Sequence, residues 1–148
     1  MKRKTLQQLI DHARLVRDDA AVQAAGAHRE VDGAQRTLEM LSTYRDEQLR
    51  SRGARSRVDP AVLRLRERFT QKLDGAIDEQ TRVRDALHDA AERRREELLG
   101  RQRRLLAFET LQARRDATNL QRRQRAEQRD TDEYAAQVAR RRRDGEKR

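Results

Sequence analysis

A single interruption in an otherwise unbroken helical pattern limits what this chain can fold into. The ten residues Ser51 to Pro60, S-R-G-A-R-S-R-V-D-P, contain Gly53 and then Asp59-Pro60. Glycine readily takes the left-handed conformation after a helix end, aspartate is a good N-cap, and proline suits the first helical position. On either side, apolar residues recur at alternating steps of three and four, the spacing of a helix with one buried stripe. Upstream the stripe reads Leu6, Leu9, Ala13, Val16, Ala20, Ala24, Ala27, Val31, Ala34, Leu38 and Leu41. Downstream it reads Phe69, Leu73, Ala76, Gln80, Val83, Leu87, Ala91, Arg94, Leu98, Arg101 and Leu105.

If the interruption folds one helix back on the other, facing residue numbers add to a constant. Leu41 with Phe69, Leu38 with Leu73, Ala34 with Ala76 and Val31 with Gln80 all add to 110 or 111. That phase suits helix ends near 50 and 60. The expected fold is all-α: one long antiparallel two-helix coiled-coil hairpin spanning residues 1–148. Helix 1 covers about 5–50, the turn 51–60 and helix 2 about 60–142, which overhangs at its C-terminus and is unpaired after about residue 111. The hairpin is then roughly 65–70 Å long at 1.5 Å per residue.

Composition agrees. Of 148 residues, 42% are charged and 3% aromatic, and there is one proline. Ala, Glu, Leu, Arg and Gln with a sustained period near 3.5 suit long helices, and two helices enclose no small-molecule pocket. With no cysteine, disulfides and thiolate chemistry are excluded. Met1-Lys2-Arg3-Lys4 leads into an amphipathic stretch containing Asp11, not the apolar core of a signal peptide, and no apolar run reaches the length of a membrane span. A soluble, cytoplasmic protein is expected.

Along the chain, Thr5-Leu6-Gln7-Gln8 fits a capping box. The steps Val16 to Ala20 to Ala24 form a stutter, followed by Gly26 and Gly33 in a seam thinned by alanine. Gly100 is read as lying within a continuous helix, and Arg94 and Arg101 as seam residues whose stems lie along the groove. Thr131-Asp132-Glu133 reads as a helix restart or a weak point, and Arg140 to Arg143 as a frayed end.

The net charge of +10 is uneven. Residues 93–148 hold 18 basic and 10 acidic groups, so eight of the ten excess charges lie there. Such an arm suits an acidic protein surface or nucleic acid phosphates. Single-stranded nucleic acid also calls for interleaved aromatics, and only Phe108 and Tyr134 are available. His12, His28 and His88 are not at ligand spacing, and the carboxylates lie on exposed faces, so no metal, cofactor or catalytic site is expected. Near the turn, Leu38 and Leu73 read as core, whereas Tyr44 and Phe69 read as either core or a partner's anchor.

Four segments in order around one turn resemble the FliJ family of the bacterial flagellar type III export apparatus. They are L-E-M-L-S-T-Y at Leu38 to Tyr44, F-x-x-x-L-x-x-A-I from Phe69 to Ile77, L-A-F-E-T-L-Q-A-R at Leu106 to Arg114 and D-E-Y-A at Asp132 to Ala135. The resemblance implies a stalk-like coiled coil that binds and promotes the hexameric export ATPase. It further implies contact with the cytoplasmic domain of the export gate and with export chaperones, at the inner membrane of the flagellar base. By the same resemblance, the gate contact maps to Leu41, Tyr44, Phe69, Leu73, Ala76 and Gln80, with Thr37 and Gln48 beside them. The ATPase-ring contact maps to Leu6, Leu9, Arg14, Phe108, Leu111, Arg115 and Tyr134. Neither a small-molecule ligand nor specific nucleic acid is implied. The alternative from another class is a basic coiled-coil scaffold or nucleic-acid-binding protein.

Overall fold

The computed structural model describes residues 2–53 and 59–148, and they form two helices. Helix α1 is Arg3–Gly53 and helix α2 is Pro60–Glu146. The second start follows the sequence rule. The Asp59 carboxylate accepts the Ala61 N–H at 3.0 Å, and its carbonyl accepts those of Val62 and Leu63 at 3.0 and 3.1 Å. Pro60 has no N–H to leave unpaired at this position.

The first start lies two residues before Thr5, and the Leu6 N–H donates to the Lys2 carbonyl at 3.2 Å. Lys and Arg are good helix formers, so the helix extends through them and the capping box does not mark its start. At the other end α1 continues through Gly53, and no described glycine has a positive φ. The rest of the expected turn, up to Asp59, lies outside the described residues. Gly100, Thr131 to Glu133 and Arg140 to Arg143 all lie within continuous helix. The Thr131 hydroxyl donates to the Glu127 carbonyl at 2.9 Å, a bond that leaves the helix unbroken.

The chain divides into two compact units, residues 13–103 and residues 1–12 with 104–148. In the first, α1 and α2 pack antiparallel. Ala13, Ala20, Ala34 and Leu38 are buried on α1, and Leu73 is buried on α2. The α1 stripe is therefore the expected one.

The α2 seam is not. Thr70, Leu73, Ile77, Gln80, Arg84, Leu87 and Ala91 turn inward, while Phe69, Ala76, Val83 and Arg94 are exposed. Register differs as well. Arg45 with Asp74 and Arg84 with Gln35 add to 119, Arg52 with Thr70 to 122, and Gln80 with Ala34 to 114. The expected pairs Leu41 with Phe69, Leu38 with Leu73 and Ala34 with Ala76 are thus displaced by about one heptad. The physical reason is polar. The Gln80 amide reaches the Ala34 carbonyl at 3.3 Å, and Arg45 Nε lies 2.8 Å from Asp74 Oδ1, off the hydrogen-bond direction. Matching apolar residues alone takes no account of such bonds.

In the second unit, Leu6, Ile10 and Leu105 are buried. Ile10 is fully buried, although it lies outside the expected stripe. The Gln112 amide donates to Gln7 Oε1 at 2.8 Å, and Arg115 is half-buried. Pairing therefore passes Leu111 by a turn. From Asp116 onward every described residue is exposed except Ala126 and Val138, which are half-buried.

The thin stretch of the seam offers a direct test. A Cβ placed on Gly26 or Gly33 meets only an arginine side-chain end, at 3.9 and 4.0 Å. Gly26→Ala and Gly33→Ala should each raise stability by about 0.5–1 kcal/mol, the helix-interior difference between the two residues. Urea denaturation followed by circular dichroism measures this, and a loss of stability would show that backbone approach at these glycines matters.

Candidate docking surfaces

The residues expected to serve one partner near the turn divide into three environments. Leu73 is buried, and Leu41, Gln48 and Gln80 are half-buried in or beside the seam. Thr37 is exposed, with its hydroxyl donating to the Gly33 carbonyl at 3.1 Å. Tyr44, Phe69 and Ala76 face outward, the two rings about half exposed.

The two edges of this seam differ. Gln35 follows buried Ala34, and Asp74 follows buried Leu73; their contacts to Arg84 and Arg45 mark one polar edge. In an antiparallel pair, the residues that precede seam positions on either helix line the other edge. That edge carries Thr37 and Tyr44 from α1, and Phe69, Ala76 and Val83 from α2. Apolar residues outside the expected set extend it. Val62, Leu65 and Phe69 follow one another at helical spacing, and all three are exposed. Leu65, Arg68, Phe69, Gln71 and Lys72 line a shallow groove there. The i, i+3, i+7 spacing of Val62, Leu65 and Phe69 was the available signal for them. An exposed aromatic rimmed by Arg68 and Lys72 is the kind of anchor that partner surfaces use.

In the other unit, Leu6 is core and Leu9 is half-buried. Phe108 is half-buried beneath the Arg104 guanidinium, whose carbon lies 5.7 Å from the ring centre, in the range of a cation–π contact. Leu111 and Tyr134 are exposed, as is Leu120, which the expected set lacks. Arg14 is exposed and belongs to the unit of residues 13–103, and neither it nor Arg115 is free of interactions. Beyond Arg115, Arg122, Arg125, Gln128 and Arg129 line an open notch on the arm. The Gln128 amide donates to Asp132 at 2.9 Å.

A protein-family model described as the flagellar FliJ protein matches residues 1–144. The chain belongs to the FliJ family. No curated protein matches it. FliJ membership makes it a flagellar, export-related protein. The match covers both helices almost to the end of α2, so both surfaces described above fall within the family's own extent. No described helix of this FliJ-family chain is long and apolar enough to cross a membrane.

Proposed function

We propose that this chain is a stalk-like component of the flagellar export apparatus, which binds and promotes the export ATPase ring and links it to the export gate and export chaperones. The observation that carries this reading is the family match over residues 1–144. Two physical features support it. The outward edge at Tyr44, Leu65 and Phe69 supplies apolar anchors for the cytoplasmic domain of the gate. The basic arm, with exposed Leu111 and Tyr134 among its arginines, supplies a charge-driven surface for the ATPase ring.

Leu6, Leu9 and Phe108 act in this reading by holding the paired base from which the arm departs, and Leu41, Leu73 and Gln80 by holding the helices beneath the gate edge. The protein works by binding, without catalysis of its own, in the cytoplasm and peripheral to the inner membrane through its partners.

A pull-down of the export ATPase with the full chain tests the proposal, run before and after nuclease treatment. Retention should be unchanged by nuclease, and ATPase turnover should rise with added chain. Retention that vanishes with nuclease would favour the basic nucleic-acid-binding alternative.

A further inference from the structure

The seam between α1 and α2 in residues 13–103 is matched in two ways that lie about one heptad apart. In the structure the polar contacts of Arg45 with Asp74, Arg84 with Gln35, Arg52 with Thr70 and Gln80 with the Ala34 carbonyl fix the register. This arrangement leaves Phe69 and Val83 exposed while Thr70 and Arg84 occupy the seam. Sliding α2 by eight residues, with a turn of roughly half a residue step about its axis, sets Phe69 against Leu41, Leu73 against Leu38 and Ala76 against Ala34. That second arrangement buries Phe69 and Val83 in place of Thr70 and Arg84, exchanges Ile77 for the smaller Ala76, and gives up the polar contacts.

We propose that the hairpin slips between these two registers, and that the slip presents or hides the apolar edge at Phe69, Ala76 and Val83. Several observations carry this. Leu73, Gln80, Leu87 and Ala91 belong to both seams, so only alternate positions exchange. The α1 face is the same in both and, between residues 13 and 34, is mostly small: Ala13, Ala20, Ala24, Ala27 and Ala34 leave few deep interdigitations to lock the register. The Arg45–Asp74 contact joins two side chains that are 47% and 42% exposed, and the Asp74 Oδ1 it meets is buried without a hydrogen bond, so this contact holds the observed register only weakly. Six residues, 54–59, join the helices, and a chain of that length can span up to about 20 Å, enough for a shift of about 12 Å. A partner that docks on the exposed edge binds one register only, and so shifts the population toward it.

The chain has no cysteine, so introduced pairs report without background. Ala34→Cys with Arg84→Cys reads the register of the structure, and Ala34→Cys with Ala76→Cys reads the second. Ala34→Cys with Asp78→Cys places a thiol on the outward face near position 76 and reports mere opening. The full-length chain alone is oxidised mildly, and intramolecular disulfides are followed by mass spectrometry, with helix content checked by circular dichroism. The Arg84 pair should close first. The Ala76 pair should close more slowly but to completion, at least tenfold faster than the Asp78 pair. Adding Asp74→Asn, which removes the partner of Arg45, should speed the Ala76 pair severalfold. An Ala76 pair that stays reduced while the Arg84 pair closes, or that closes no faster than the Asp78 pair, overturns the proposal.

Discussion

A chain ending at Arg115 should bind the export ATPase at least about a hundredfold more weakly than the full chain, a loss of about 2.7 kcal/mol. The cut is placed by the structure. Gln112 still bonds Gln7, and Arg115 is still half-buried, so the truncated chain keeps every described cross-helix contact and should melt at an unchanged temperature. What it loses is the exposed arm, including Arg122, Arg123, Arg125 and Arg129, Leu120, Tyr134 and the run Arg140 to Arg143. Removing only residues 140–148 should weaken binding less, because the notch arginines and Tyr134 remain. If the arm acts by charge, the affinity of the full chain should fall as salt rises, since the screening length drops from about 10 Å at 0.1 M to about 3 Å at 1 M. Binding isotherms at two salt concentrations, with ATPase stimulation alongside, measure all of this. Full stimulation by the chain ending at Arg115 would remove the arm from the mechanism.

What the sequence made legible follows from which interactions have a period. The number of helices, their antiparallel pairing and the cap at Asp59 could be read because apolar spacing and capping chemistry are local. The α1 stripe could be read for the same reason, since Ala13, Ala34 and Leu38 have no apolar rivals one residue away. On α2 there are rivals. Phe69 stands beside Thr70, Ala76 beside Ile77 and Val83 beside Arg84, and the expected stripe takes the first of each pair, which in the second is the smaller residue. The structure selects Thr70, Ile77 and Arg84, because Thr70 and Arg84 reach polar partners on α1 that have no periodic signature. Ile10 was missed because Leu6, Leu9 and Ala13 already satisfy the spacing. The exposure of the edge near the turn is legible only in part. Tyr44 and Phe69 read from the sequence as either core or a partner's anchor, and pairing Phe69 with Leu41 conceals Val62 and Leu65 as its exposed neighbours.

Tyr44→Ala and Phe69→Ala should leave the helices nearly intact while lowering affinity for the cytoplasmic domain of the export gate more than tenfold each, or about 1.4 kcal/mol. Burial separates this outcome from a core defect. Tyr44 and Phe69 are 51% and 50% exposed, whereas Leu38 is 8% exposed. Truncating a fully buried Phe costs about 3–5 kcal/mol, and a half-exposed ring should cost no more than about half of that. Tyr44 should cost less still, its hydroxyl being free to meet water or a partner. Leu38→Ala is the control, with an expected loss of about 2–5 kcal/mol and no preference between partners. Leu65→Ala adds a discriminating variant. At 67% exposed it should barely move the melt, yet it shares the groove with Phe69 and should weaken gate binding alone. A thermal melt, a gate-domain binding curve and ATPase stimulation for each variant give the pattern. If Tyr44→Ala and Leu65→Ala bind the gate domain as the parent does, the apolar edge near the turn serves a different partner.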